Sequence, residues 1–404
     1  MANVLATTDL CAKDGAAAFE TEAAFFPTLD RSWEPEFKQS SYSPGDRIRI
    51  KRTARFNAVE SSIASPEDIV QDTVEVVLRQ FNVSTRWTDL EKQLSMKKLS
   101  EDVFQPLGQE LVATVESTIA EVMAKGSLLD AGNTPGSVLG APRTIADAVS
   151  RIREQRCPMN EDIFGALTYT AKAALWDNTK SLSDPSAKMS NEYMAARMKN
   201  IAGANCFATP SIYRLTNGTI VNSDVSLSVI LIAGATQTMT SVGVSKTVTA
   251  GMQFTIPDVF EIDPQTGTSL PSLKMFRVAA AATSTGGEAL TITLTEPVVL
   301  TGSNRNVSGP GAGGQTVTWY GATAASRSFY QNLFYHKKSV ALIALPLALP
   351  EGNAGLAAMK TINGIPVKSE FWRDAGNHKE YIRQDVLIGI GILRGNWIAT
   401  GWGE

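Results

Sequence analysis

Along the chain, apolar and polar positions first fall into a regular pattern just after residue 46, where Arg47, Arg49 and Lys51 alternate with Ile48 and Ile50. Period two predicts a strand with one basic and one apolar face, and the preceding Pro44-Gly45-Asp46 predicts the turn that starts it. Arg52 and Arg55 extend the basic cluster, and no acid stands between Asp46 and Glu60. A second alternating run, Thr73 to Arg79, follows the polar stretch SSIASPEDIVQD. Together the two runs predict a long two-stranded hairpin, which is marginal in water and needs another surface to rest on. Two readings of its basic face stand side by side: contact with acidic residues of another subunit, or a solvated strand face.

The clearest helix covers 99–125. Phe104, Leu107, Leu111, Val115, Ile119 and Val122 recur at steps of three and four, marking one apolar stripe. Ser100 is a candidate cap, Glu101 and Asp102 suit the first turn, Pro106 either kinks or restarts the helix, and Gly126 stops it. At 1.5 Å per residue the element is roughly 30–40 Å long, a strut. TIADAVSRIREQ predicts an amphipathic helix with Ile145, Val149 and Ile152 on one face. Ile163–Leu167 predicts a short buried strand, TAKAALWDN another helix, and NEYMAARMKNIAGANCFATPS a helix or turn, a break at Gly203 and a strand.

Composition changes near residue 208. From there to about 330 only about one residue in ten is charged, half the chain average, and Thr, Ser, Gly and Val dominate. Segments such as QFTI, KMFRV and ALTITLTEPVVL, separated by turn clusters, predict a small all-β barrel or sandwich set into an α/β host. Ser339–Leu347 and Val386–Leu393 are further predicted strands. The first forty residues have no steady period yet carry Phe19, Phe25, Phe26, Trp33 and Phe37. They read equally as an arm lying on another surface and as a segment packed on its own domain.

The 404 residues exceed one ordinary core, so several lobes are expected. No run of about 18 apolar residues is present, and the N-terminus, with early Asp9 and Asp14, is a poor secretion signal. A net charge of −3 argues against general nucleic-acid binding. Cys11, Cys157 and Cys206 read as free thiols, and His336 and His378 lie far apart without cysteines beside them, so no metal site is expected. Gly389 to Gly395 (GIGILRG) misses the dinucleotide spacing and reads as a buried strand. GPGAGG, Gly309 to Gly314, lacks the Lys-Ser/Thr of a phosphate loop and reads as a flexible loop. With no GxSxG or HExxH, no catalytic residue and no cofactor are predicted.

The order of parts resembles the major capsid (coat) proteins of tailed bacteriophages, whose shared architecture is the α+β fold named after phage Hong Kong 97. It is most similar to short-tailed-phage coat proteins that carry an inserted β domain. The stretches that carry the likeness are EFKQSSYSPGDRIRIKRTARF, MKKLSEDVFQPLGQELVATVES, TAKAALWDNTKSL, MKNIAGANCFATPSIYR, AGMQFTIPDVFEIDPQTGTSLPSLKMFRV, FYQNLFYHKKSVALIALPLALPEG and RQDVLIGIGILRGNWIA. In order, they cover most of the chain.

The resemblance implies an N-terminal arm over 1–40 and an extended loop over 41–90. It implies a peripheral domain with a spine helix over 91–130 and an axial domain over 131–207. An inserted β domain would cover 208–330, and 331–404 would return to the peripheral and axial sheets. It further implies self-assembly through hexamers and pentamers into an icosahedral shell around double-stranded DNA, bound without sequence specificity. A scaffolding protein and a portal would serve as assembly partners in the host bacterial cytoplasm, and no membrane would be involved. On this reading Arg47, Arg49, Lys51, Arg52, Arg55, Phe25, Phe26 and Trp33 are the candidate inter-subunit contacts. Some relatives carry a long charged loop that links capsomers; here ATQTMTSVGVSKTV is short and nearly uncharged, so that role is not carried over. Two other readings are a head-decoration or tail-tube protein, and an enzyme with an accessory β domain. The long helix counts against the first and the missing catalytic signature against the second.

Overall fold

In a computed structural model, residues 2–37, 47–52, 56, 72–88, 90–91, 99–179, 200–222, 231–239, 242–285, 289–322, 325–350 and 357–403 are described. The predicted turn Pro44–Asp46, the basic residue Arg55, the linker between the two alternating runs and the predicted helix or turn at 191–199 lie outside them.

In chain order the elements begin with α1 (Ala2–Glu22), α2 (Glu34–Phe37), β1 (Arg47–Lys51) and β2 (Thr73–Thr88). A π-helical turn, Ser100–Phe104, leads into α3 (Gln105–Gly126), followed by β3 (Leu129–Asp130), α4 (Pro142–Glu154), β4 (Ile163–Leu167) and α5 (Tyr169–Thr179). Then come β5 (Asn200–Ile201), β6 (Ala204–Ala208), β7 (Arg214–Thr216), β8 (Gly234–Met239), β9 (Thr247–Val248), β10 (Gln253–Ile262) and β11 (Ser269–Arg277). β12 (Ala282–Thr283), β13 (Leu290–Val298), β14 (Thr318–Trp319), β15 (Ser328–His336) and β16 (Val340–Leu345) precede β17 (Ala357–Ile362) and β18 (Ile365–Asp374). β19 (Lys379–Ile392) and β20 (Ile398–Trp402) close the chain. The chain divides into two compact units, Met1–Ile50 with Thr73–Ile119 and Val340–Leu393, and Lys51–Asp72 with Ala120–Ser339 and Arg394–Glu404.

The first unit is built on a sheet ordered β1-β2-β19-β18-β17, with β16 also paired to β19. Its longest seam joins β2 and β19 antiparallel from Val77↔Ile390 to Thr88↔Lys379. β2 changes its buried side along its length. Val76 is buried with Ile48, Ile50, Ala341 and Ile343 on one face, whereas Trp87 is buried with Cys11, Phe104 and Ile382 on the other. Period two makes residues 76 and 87 point oppositely, so the strand serves two cores in succession. The seam is tight: a Cβ on Gly391 would collide with Val76, and one on Gly389 would come within 2.9 Å of Val76 and Leu78. Gly389 and Gly391 of GIGILRG therefore lie in a strand, where they let β2 side chains lie flat upon it, while Gly395 falls beyond the strand.

Three expectations are corrected here. The N-terminal segment takes the second of its two readings, packed on its own domain and not the arm that the resemblance implies: α1 buries Cys11, Ala12, Ala16 and Phe19, and the Gln384 side chain donates to the Cys11 carbonyl at 2.9 Å. The second alternating run extends to Thr88, and residues 77–88 pair with β19 of the same chain. Within the expected extended loop, 41–90, the described residues 47–52, 56, 72–76 and 90 fall outside that seam. Ser100 does not cap; its hydroxyl meets Asp14, and Leu99 holds the cap position without a side-chain bond. The π turn ends at Phe104, and Pro106 follows it in the first turn of α3.

In the second unit, β3-β20-β15-β4-β6-β5 form a sheet, with β7 also on β15. Amphipathic α4 buries Ile145, Ala148 and Ile152 against Ile163, Leu167, Phe334 and Ala399, as its period predicts. Gly203 turns between β5 and β6 with φ +88°, a conformation open to glycine. The Ser/Thr-rich region forms small sheets, β11-β10-β14, β12-β9 and β13-β8, around one apolar core. That core also takes in Phe329 and Trp402, and the boundary expected at 330 falls inside β15. An apolar region that shares its core with the C-terminal strand cannot be cut from its host at a composition change.

Candidate assembly surfaces

β1 lies at the end of the sheet order, and its alternation is expressed in space as predicted: Ile48 and Ile50 are buried while Arg47, Arg49 and Lys51 are exposed. The basic face is partly neutralised from within. Glu75 on β2 pairs with Arg47 at 3.1 Å and with Arg49 at 3.0 Å, and Arg52 pairs with Asp72 at 2.9 Å. Hydrogen bonds from Arg49, then Arg47, hold the Glu75 carboxyl below its usual range. The arginine side chains stay 60% and 73% exposed, so these pairs hold little stability and a competing partner can displace them. One carboxylate, Glu75, thus faces two arginines of the row.

The aromatic candidates are placed differently. Phe25 and Phe26 are 0% and 3% exposed, and Phe26 meets Phe19 edge to face at 5.4 Å. Their burial in their own unit is a correction: neither reaches a surface that a neighbour could touch. Trp33 is half-buried against the Ile48–Val76 core. The structure therefore gathers Arg47, Arg49 and Lys51 on one face, sets Arg52 just beyond it and buries Phe25 and Phe26.

One charged group, Glu116, is absent from the sequence-derived candidates, and His336 takes a definite place. Glu116 lies on the stripe of α3, 2% exposed, and accepts the Phe25 N–H at 2.8 Å. Burial pushes its carboxyl up to about 7, against the pull of the Phe25 and Ala24 backbone N–H groups. The signal was a lone acid between Val112 and Ala120 at helical spacing. His336 is buried on β15 with its Nε2 3.8 Å from Glu161, and burial pulls its pKa below the ordinary value. Among the described residues no three His, Cys, Asp or Glu side chains group as metal ligands, and no helix is long and apolar enough to cross a membrane.

Residues 67–401, more than four-fifths of the chain, match the family model described as "P22 coat protein - gene protein 5". The chain belongs to the P22 coat protein family. No individual curated protein matches it. Among solved structures it is similar to one from Mycobacterium phage Che8, at 10% identity and a TM-score of 0.51, covering 94% of this chain and 91% of that one. It is also similar to the capsid of Ralstonia phage GP4, at 10% identity and a TM-score of 0.46, covering 93% and 87%. The capsid structure of cyanophage P-SCSP1u gives 10% identity and a TM-score of 0.45, covering 89% and 84%. This P22-type coat protein has the mixed helix-and-sheet Hong Kong 97-type fold and is a major capsid protein that forms the phage head shell. It is a structural component of the virion and associates with copies of itself.

Proposed function

We propose that copies of this coat protein join through the exposed basic row Arg47, Arg49 and Lys51 on the outer strand of the first unit's sheet, with Arg52 and Arg55 following it in the sequence. The observation that carries this reading is the segregation on β1: basic side chains on the open face, Ile48 and Ile50 anchoring the other. Strand edges are usually blunted by charge, and a blunted edge of one sign also selects an acidic partner surface. Each contact is weak, and a closed shell accumulates many of them through symmetry and multivalency. Hexamers and pentamers of the chain form the icosahedral shell in the host bacterial cytoplasm, helped by a scaffolding protein and a portal. Double-stranded DNA is enclosed without sequence-specific contact, in keeping with a net charge of −3.

The test is electron microscopy of the purified protein, with and without a co-expressed assembly partner. Closed shells are expected from the wild type; a monomer that never assembles at high concentration sinks the reading. The triple variant Arg47→Glu, Arg49→Glu, Lys51→Glu should stay folded by circular dichroism and form no shells. Normal shells from it would remove the row from the interface.

A further inference from the structure

At the end of β11 a cation is buried without an anion. Arg277 is 1% exposed, and no carboxylate among the described residues pairs with it. Its guanidinium is held by neutral acceptors instead. Nε donates to the Ser127 carbonyl at 2.8 Å, Nη1 to the Gly251 carbonyl at 3.1 Å and to Gln331 Oε1 at 3.3 Å, and Nη2 to Thr400 Oγ1 at 2.9 Å. Gly251 precedes β10 in the β-rich region. The other three acceptors come from the segment after α3, from β15 and from β20, the framework of the seven-stranded sheet. Thr400 is itself fixed, donating to the Leu129 carbonyl at 3.1 Å and accepting from Gln253 Nε2 at 2.8 Å. A planar fork of N–H groups meets acceptors spread over four stretches of chain.

The apolar contacts around it are of a different kind. Phe254, Trp319 and Met252 share a core with Phe329 and Trp402. Such burial is strong and non-directional, and it tolerates sliding and rotation of one sheet on another. A buried charge has one arrangement in which all its donors are satisfied, and any displaced arrangement leaves it desolvated and unpaired.

We propose that Arg277 is an orientation pin: it fixes β10 and β11 in one setting against β15 and β20, while the apolar core supplies the attraction. Burial pulls its pKa down to about 9.

Hydrogen–deuterium exchange of the full-length chain tests it. In Arg277→Met, amides of β10 and β11 should exchange at least about ten-fold faster than in the wild type, with α4 and β4 changed by much less. Arg277→Lys keeps the charge but not the fork and should fall between. Equal acceleration of all four elements would make Arg277 an ordinary source of stability, and unchanged exchange would make it idle; either overturns the pin. Should Arg277→Met fail to fold, Thr400→Val with Gln331→Leu removes two acceptors and keeps the arginine. Faster exchange confined to β10 and β11 is again expected, and a uniform or absent change again overturns it.

Discussion

A carboxyl group on the apolar stripe of α3 makes stability depend on pH in a direction opposite to that usual for acids. Glu116 holds its proton up to about 7 in the folded chain because burial penalises the anion, and Glu261 on β10 does the same, also chiefly through burial. In the unfolded chain both return to the ordinary carboxylate value of 4.5. The folded state therefore binds more protons between these values. The stability this confers is full below the unfolded pKa and is lost as pH rises through about 7. His336 acts in the opposite sense: burial lowers its pKa, so its contribution is lost as pH falls below the ordinary 6.5. Glu116→Gln is expected to flatten the change in urea midpoint between about pH 5 and about pH 8. A variant as pH-dependent as the wild type would place the titration elsewhere.

At the scale of elements, legibility followed whether the pattern was local. β1 and α4 bury a side that their own period announces, and β4 is legible as a short, continuous apolar run. β2 was read only to Arg79 because its apolar side changes there: Val74, Val76 and Leu78 are even-numbered, Phe81, Val83 and Trp87 odd-numbered. A phase change looks like the end of a strand when the partner is unseen. α1 was missed because its buried side is largely alanine and cysteine, residues that mark a core only once another surface covers them. Removal of residues 1–25, expected from the arm reading to spare the fold, should now strip Cys11, Ala16, Phe19 and Phe25 from the first unit. The expected outcome is loss of cooperative unfolding and exposed apolar surface, read by calorimetry and dye binding. A deletion that melts like the wild type would restore the arm. On the same sheet, Gly391→Ala should cost about 1–3 kcal/mol through its collision with Val76, measured by denaturant titration.

For the molecule as a whole, the fold family was legible because many weak signals came in the right order, although none was diagnostic alone. The candidate surface was legible in part. Arg47, Arg49 and Lys51 are exposed as alternation requires, but Phe25 and Phe26 are not, since aromatic content cannot say whether a residue covers its own core or another's. Glu116 and Arg277 depend on partners 91 and up to 150 residues away, beyond any local pattern. If the basic row guides association, shell formation should slow as salt rises, because exposed charges are screened beyond a Debye length of about 8 Å at physiological ionic strength. Light scattering at about 50 and about 500 mM salt measures this, and rates independent of salt would point to an apolar contact instead.

The seam between β2 and β19 has a mechanical meaning. Its rungs run from Val77↔Ile390 to Thr88↔Lys379 and lie across the strand axis. A load that draws the two strands past each other along that axis strains the rungs together, as in a lap joint, instead of opening them one at a time like a zip. The alternation of cores then fastens the joint on both faces, with Val76 seated on Gly391 at one end and the Trp87 indole N–H bound to Glu380 at 2.9 Å at the other. In a container stretched from inside, tension led along these strands would meet the stiffest direction of the sheet.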